Sequence, residues 1–299
     1  MSAALGLGTY RVRAVEQAAR TACQAGCGYL DTAPNYGHSL THQALAPVLA
    51  DHPKLCVTTK TGFHSGSERL AAVAEGVLTE SAAAHGHSLD PAFVRWQTSR
   101  SLAVLGRADI VFVHNPEHHH SQRTRVHAAL RRAFRVLEDF ARRGLIGGYG
   151  VATWSGFSSG AFTVAELVEL AAQAADGGEH HLVGIQLPVS LVMIGPLAQA
   201  LDGTGPLAEA AAGRITTFAS APLHGGELPP LMTPELVDFI RPGLTPAAAA
   251  LLAVASCPAL DVVLLGASTR AHWDDAAAVL SHPLTLDHLR SIAGELGEG

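Results

Sequence analysis

Short apolar, β-branched runs recur along the chain, and longer Ala-, Leu- and Arg-rich segments with helical periodicity separate them. This alternation predicts repeated strand-helix units and therefore a parallel sheet. The predicted strands cover residues 5–9, 29–31, 55–60, 109–113, 146–151, 182–187, 215–219 and 262–265. The predicted helices cover residues 13–25, 40–50, 70–85, 91–105, 127–143, 164–175, 246–256 and 273–280.

The number of units indicates how the sheet is arranged. Eight units suit a closed (β/α)8 barrel better than an open sheet of six strands, and no Gly-x-Gly-x-x-Gly follows the first predicted strand. The 299 residues are 48% apolar, and no long Pro-, Ser- or Gly-rich linker divides them. We therefore predict an α/β fold with a single (β/α)8 TIM barrel over residues 1–299.

Composition argues against several function classes. The formal net charge of −6 disfavours nucleic-acid binding, which needs a basic face, and the one basic run, residues 123–143 with seven arginines, is interpreted as a solvated helix face. Four cysteines do not make a disulfide framework in a chain of this size. No signal peptide is evident, and the most apolar stretch, residues 247–257, is too short to span a bilayer. We expect a cytoplasmic protein with no membrane partner.

Ionisable side chains stand at the ends of three predicted strands. Asp31 ends the second strand, Lys60 ends the third, and His114 follows the fourth. A phenol, Tyr36, lies five positions after Asp31 in the next loop. Because the active site of such a barrel lies at the C-terminal ends of its strands, we expect these four residues to come together.

The four residues are suited to protonating an oxygen atom. A lysine beside a phenol lowers the phenol's pKa, and a carboxylate holds the lysine charged and oriented. Tyr36 is then a general acid, and His114 positions a carbonyl oxygen. Lys60 is one of only two lysines among 20 basic residues, in a chain that otherwise uses arginine. Taken singly, each residue is also explained as a strand end or a loop residue, but their joint occurrence favours the chemical interpretation.

The motifs around these residues resemble those of the aldo-keto reductase superfamily. They are Leu5-Gly6-Leu7-Gly8-Thr9, Asp31-Thr32-Ala33-x-x-Tyr36-Gly37, Thr59-Lys60, His114-Asn115-Pro116, Gly150-Val151, Gln186 and Leu265-Gly266-Ala267-Ser268. The resemblance implies that Tyr36 is the proton donor, that Lys60 and Asp31 tune it, and that His114 orients the carbonyl. It also implies hydride transfer from NADPH, bound extended across the barrel mouth without a Rossmann motif.

Two segments depart from the pattern of that family on the nicotinamide side. Gly150-Val151-Ala152-Thr153 stands where Gly-Val-Ser-Asn is common, so we expect Thr153 and Gln186 to contact the nicotinamide amide. Ser220-Ala221-Pro222-Leu223 stands where Tyr-Ser-Pro-Leu is usual, which removes the aromatic that stacks on the nicotinamide. Either Phe218 or Trp154 is a candidate to replace that aromatic.

The adenine end of the cofactor is expected near the last strand. Ser268, Thr269 and Arg270 lie just before a predicted helix, where backbone donors and the helix dipole favour phosphate. Arg270 is predicted to hold the 2′-phosphate, which favours NADPH over NADH, although a solvated helix-start arginine is the alternative. The complete set of expected cofactor contacts is Thr9, Thr153, Gln186, Ser220, Pro222, Leu223, Gly266, Ser268, Thr269, Arg270 and Asp275.

Further residues near the strand ends are assigned to the substrate pocket or to loops. Phe63, Asn115 and Trp154 are predicted to line the pocket. His118-His119-His120 beside Glu117 lacks the spacing of metal ligands, so no metal is expected there. The remaining paired histidines, including His85 and His87, are interpreted as loop residues.

The resulting hypothesis is NADPH-dependent reduction of an aldehyde or ketone to an alcohol, with a small-molecule carbonyl substrate and a proton from Tyr36. Two alternatives keep the barrel. One is a non-redox step in a biosynthetic pathway, such as dehydration, isomerisation or cyclisation, that uses Tyr36 and Lys60. The other is a nicotinamide-binding protein whose chemistry is vestigial.

Overall fold

Eight parallel strands close into a barrel in the computed structural model, which describes residues 2–118 and 122–297. Each strand pairs with the next along the chain, and the first pairs with the last, so the predicted (β/α)8 barrel is confirmed. The strands are β1 Ala4–Gly8, β2 Tyr29–Asp31, β3 Cys56–Thr61, β4 Ile110–His114, β5 Gly148–Ala152, β6 Leu182–Pro188, β7 Thr216–Ser220 and β8 Val262–Leu265.

Helices surround the barrel and cover its outer face. In the described residues they are α1 Val15–Gln24, α2 Thr41–Asp51, α3 Gly66–Ala74, α4 Glu80–Ala83, α5 Pro91–Leu105, α6 Arg123–Arg142, α7 Val164–Ala174, α8 Gly195–Leu201, α9 Gly205–Ala212, α10 Pro234–Ile240, α11 Pro246–Ala255, α12 Arg270–Leu280 and α13 Leu286–Gly297. Short 3₁₀ turns occur at Tyr36–Ser39, His224–Gly226 and Pro229–Leu231. None of the described helices has the length and apolar character needed to cross a membrane.

The predicted helices differ from the observed ones in two respects. The single helix predicted over residues 70–85 is wrong, because Gly76 has a φ of +69° and Thr79 caps a new helix by accepting a hydrogen bond from Ala82 N at 3.2 Å. Helices α8, α9, α10 and α13 were not predicted. The first three have only 7 or 8 residues, which is about two turns and too short for helical periodicity to show.

The barrel interior combines large aromatic rings with glycines. Phe112 and Phe218 meet edge to face with ring centroids 5.5 Å apart, and both are fully buried. Gly150 and Gly184 lie beside the Phe112 ring on neighbouring strands. A Cβ at Gly150 would overlap the carbonyl oxygen of Gly184 and come within 2.7 Å of Phe112 Cε1. Glycine at this position therefore lets the aromatic floor of the barrel form.

Gly150→Ala is expected to lower the free energy of unfolding by about 2 kcal/mol or more, because the added methyl group overlaps backbone that cannot move freely. Chemical denaturation measures the change. Gly195→Ala is the matched control: a Cβ there meets no atom within 4 Å, the residue begins α8, and the substitution should be neutral or slightly stabilising. Equal stability of the two variants would contradict the packing argument.

Candidate active site

A cavity of about 690 Å³ opens at the C-terminal ends of the barrel strands. Side chains alternate between the two faces of a strand, so His114, two residues after the interior Phe112, faces the same way at the end of β4. The first seven strands contribute one residue each to the cavity, and β8 contributes two: Gly8, Asp31, Lys60, His114, Ala152, Gln186, Ser220, Leu264 and Leu265. Tyr36 joins them from the 3₁₀ turn after β2.

Lys60 and Asp31 form a buried ion pair at the base of the cavity. The Lys60 ammonium donates to Asp31 Oδ1 at 2.7 Å and Oδ2 at 2.6 Å, and to the carbonyl oxygen of Thr32 at 3.1 Å. Asp31 Oδ1 also accepts from the Thr58 hydroxyl at 2.7 Å. Burial lowers the pKa of Lys60, while the Asp31 carboxylate opposes that change. All three ammonium hydrogens have acceptors, so the pair is satisfied without a ligand.

Tyr36 lies beside this pair, and its pKa differs from the one that the sequence predicts. Lys60 Nζ is 5.1 Å from the centroid of the Tyr36 ring. Burial, then the Asp31 carboxylate and Tyr10, raise the pKa of Tyr36 well above its ordinary value, whereas the sequence predicts a lowered pKa. Burial is the largest cause and the negative charge of Asp31 adds to it, so the positive charge of Lys60 does not offset their effect. Tyr36 is therefore protonated at neutral pH.

His114 is a neutral imidazole at the other side of the cavity. Its pKa is lowered well below the ordinary value by burial and then by the positive charge of Lys60, with smaller effects of His87 and His118. The His114 ring meets the Tyr36 ring edge to face at 6.3 Å and the Phe63 ring at 4.9 Å between centroids. A neutral imidazole carries one N–H and can donate one hydrogen bond.

His87 supports this arrangement and was interpreted from the sequence only as a loop residue. Its Nε2–H donates to the backbone carbonyl oxygen of His114 at 2.8 Å, and its ring contacts the Phe63 ring at 4.6 Å between centroids. The side chain is 7% exposed. No motif around His87 signals this contact, because it joins residues from separate loops.

Gln97, on α5, holds the loop that follows β3 and was also missed. The buried Gln97 amide oxygen accepts from the Thr61 hydroxyl at 2.9 Å and from Gly62 N at 2.8 Å. Its amide nitrogen donates to the carbonyl oxygen of Phe63 at 2.8 Å. A signal was present in the sequence: a glutamine lies on the apolar face of a helix, where a side-chain amide needs partners.

The expected ligand contacts divide into three groups. Cavity-lining residues include all three predicted pocket residues and several predicted cofactor contacts: Phe63, Asn115, Trp154, Thr153, Gln186, Ser220, Pro222, Leu223 and Gly266. Thr9 does not line the cavity, since it is buried and donates to the carbonyl oxygen of Asp31 at 3.0 Å. The remaining residues are exposed at the start of α12: Ser268, Thr269, Arg270 and Asp275. Arg270 pairs there with Asp274 at 2.8 Å.

Thr153 and Gln186 differ in what they can offer a ligand. The Thr153 hydroxyl donates to Glu117 Oε1 at 2.7 Å and accepts from Gly156 N at 2.7 Å, so its only hydrogen is already used. Gln186 Nε2 is buried and has no hydrogen-bond partner among the described residues. Of the two side chains predicted to meet an amide, Gln186 has unused donors.

The two candidates for a stacking aromatic are also separated by the structure. Phe218 is fully buried in the barrel interior, edge to face with Tyr29 at 6.1 Å, and does not line the cavity. Trp154 lines the cavity and is 48% exposed, with its ring 6.3 Å from that of His224. Trp154 is thus the available aromatic surface near Ala152.

Several cavity residues were not predicted. Tyr10, Arg11, Asn35 and His224 line the cavity. Tyr10 follows the first predicted strand directly. Its position at a strand end was therefore a signal in the sequence that it lies near the cavity. His119 and His120 of the histidine run lie outside the described residues, and within residues 2–118 and 122–297 no group of three or more potential metal ligands occurs.

Comparisons with known proteins show what the chain resembles. The model of the aldo/keto reductase family matches residues 3–226. No curated protein matches the chain in sequence. Among solved structures, the holo form of an aldo-keto reductase from Bacillus halodurans has a TM-score of 0.69 at 16% identity, covering 98% of this chain and 91% of that one. A glycerol dehydrogenase from Gluconobacter oxydans scores 0.69 at 17% identity, with coverages of 98% and 91%.

A third similar structure carries a ligand. An aldo-keto reductase from Klebsiella pneumoniae in complex with NADPH has a TM-score of 0.65 at 17% identity and covers 98% of this chain and 90% of its own. At such identities the likeness to solved structures concerns the fold.

Lys60→Met is expected to lower the free energy of unfolding by about 3 kcal/mol or more, because it leaves the Asp31 carboxylate buried without its partner. The double variant Asp31→Leu/Lys60→Met removes both charges and should recover most of that loss. Urea denaturation at pH 7 measures both. A single variant as stable as the wild type would show that the ion pair does not determine stability at this site.

Proposed function

Because the chain belongs to the aldo/keto reductase family, we propose that it reduces an aldehyde or ketone to an alcohol with NADPH as the reductant. The observation that carries the proposal is a protonated phenol, Tyr36, in one cavity with a neutral imidazole, His114, and a buried Lys60–Asp31 pair. The complex of the Klebsiella pneumoniae enzyme with NADPH supports the choice of cofactor.

The residues around the cavity fit a nicotinamide cofactor. Gln186 offers a buried, unpartnered amide that matches the carboxamide of a nicotinamide, and Trp154 offers an aromatic surface nearby. Leu223, Gly225 and Gly226 line the cavity from the loop after β7, and the two glycines leave the backbone open to approach by phosphate groups. When bound, the cofactor supplies the hydride that adds to the carbonyl carbon.

The chain's own residues supply the proton and the position of the carbonyl group. Tyr36 Oη donates its proton to the carbonyl oxygen as negative charge develops there. The neutral His114 ring donates an N–H to the same oxygen and so orients the carbonyl. Phe63 lines the cavity beside His114, with ring centroids 4.9 Å apart, and so provides an apolar wall next to the donor.

The Lys60–Asp31 pair acts after the proton has left. A phenolate at Tyr36 lies beside the Lys60 ammonium, whose nitrogen is 5.1 Å from the ring centroid. The ammonium then favours the charged form of the tyrosine, which lowers the cost of proton donation. Asp31 holds the ammonium in position through two hydrogen bonds.

A second candidate, a non-redox step on the same barrel, is favoured by one observation. Thr153 has no free hydroxyl hydrogen, and Ser220 offers no ring, so two contacts for a nicotinamide are absent from their usual positions. Fluorescence titration of the wild-type protein with NADPH separates the candidates. Absence of binding would favour the non-redox step, whereas binding without oxidation across a carbonyl panel would favour a nicotinamide-binding protein.

Tyr36→Phe is expected to reduce kcat at least about 100-fold, because it removes the proton donor and leaves the ring in place. NADPH affinity should change little. Tyr29→Phe is the matched control, since Tyr29 lies two residues before Asp31 on β2 and does not line the cavity. Stopped-flow oxidation of NADPH with an aldehyde panel measures turnover, and wild-type turnover in Tyr36→Phe would refute the assignment.

Arg270→Ala is expected to weaken NADPH binding roughly tenfold and leave NADH binding unchanged, because a guanidinium pairs with a 2′-phosphate by charge-assisted hydrogen bonds. To make that contact Arg270 must exchange its bond with Asp274 for one with phosphate. Arg290→Ala controls for net charge. It removes an exposed arginine that pairs with Asp287, and both residues lie on α13, away from Arg270 on α12. Equal loss of both cofactors would contradict the role of Arg270.

A further inference from the structure

Glu117 binds the first three residues of the loop that follows β5. Its Oε1 atom accepts the hydroxyl hydrogen of Thr153 at 2.7 Å, and the backbone N–H groups of Trp154 at 3.2 Å and Ser155 at 3.1 Å. Three donors from consecutive residues thus converge on one carboxylate oxygen. Such charge-assisted bonds are stronger than those between neutral groups.

The connection joins two loops of the barrel mouth. Glu117 lies in the turn after β4, three residues beyond His114, and Asn115 N of that turn donates to the carbonyl oxygen of Ala152 at 2.7 Å. The loop after β5 has no helix before Val164. Glu117 and Asn115 therefore fix the start of this loop relative to the strand end that carries His114.

The second carboxylate oxygen of Glu117 indicates that burying this side chain costs free energy. Glu117 Oε2 is buried and has no hydrogen-bond partner among the described residues. A buried carboxylate oxygen without a partner is unfavourable, so a residue chosen only to stabilise this loop would not need the charge. The two side chains held by the contact, Thr153 and Trp154, both line the cavity.

We propose that Glu117 is a positioning residue for the nicotinamide side of the cavity: it sets the Thr153 hydroxyl and the Trp154 indole through hydrogen bonds to residues 153–155. The inference rests on the proposed function for the identity of the ligand. Glu117 takes the only hydrogen of Thr153, which leaves Gln186 to recognise the carboxamide. It also holds Trp154 at the cavity wall, facing His224 across 6.3 Å.

The fluorescence of Trp154 reports this positioning in the free protein. The chain has three tryptophans, and Trp96 and Trp273 lie on helices away from the cavity. Each variant is also prepared with Trp154→Phe. Subtracting the emission of that protein from the emission of the same variant with Trp154 intact isolates the signal of Trp154, from which its emission maximum and anisotropy follow. The readout requires neither cofactor nor turnover.

Three substitutions at Glu117 separate its possible roles. Glu117→Ala removes the acceptor, Glu117→Asp keeps the charge on a shorter side chain, and Glu117→Gln keeps an acceptor oxygen at full length. We expect Ala and Asp to red-shift Trp154 emission, lower its anisotropy and weaken NADPH binding roughly tenfold, since hydrogen bonds to a carboxylate are lost. Gln should give values between those of Ala and the wild type, because it keeps the acceptor oxygen but loses the charge.

The result that would overturn the proposal is unchanged Trp154 emission and NADPH affinity in both Glu117→Ala and Glu117→Asp, even with a lower unfolding temperature. Loss in Glu117→Gln equal to that in Glu117→Ala would still support the proposal, because it would show that the three hydrogen bonds require the carboxylate charge. If the wild-type protein binds no NADPH, the proposed function fails, and Trp154 emission in the free protein still decides the role of Glu117.

Discussion

The buried ion pair between Lys60 and Asp31 is the interaction on which the rest of the site depends. It brings two charges below the cavity and satisfies all three ammonium hydrogens there. Burial and the Asp31 carboxylate raise the pKa of the neighbouring Tyr36, so the phenol keeps its proton.

The barrel beneath the ion pair is packed with apolar side chains. Phe112 and Phe218 fill the interior, and glycines on β5 and β6 leave the room they need. Residues at the strand ends above this floor line one cavity. His87 and Gln97 complete the arrangement by holding the turns after β4 and β3.

The two sides of the cavity differ in how closely they follow the pattern of the family. One side carries Asp31, Tyr36, Lys60 and His114, which match the family pattern, whereas the other side carries Ala152, Thr153 and Ser220, which depart from it. The structure shows a different solution on that side, in which Thr153 is committed to Glu117 and Gln186 is free. The contacts of Thr153 and Gln186 affect how this side of the cavity can hold a ligand and leave Tyr36 on the other side unchanged.

The sequence by itself determined the barrel and the position of Asp31, Lys60 and His114, because strand periodicity and polar strand ends are local features that any one segment displays. It did not reveal the raised pKa of Tyr36, which depends on burial and on the Asp31 carboxylate. Nor did it reveal the bond from Thr153 to Glu117, 36 residues apart. Only the tertiary structure decides such features, because hydrogen-bond partners and desolvation arise between segments that are distant in the chain.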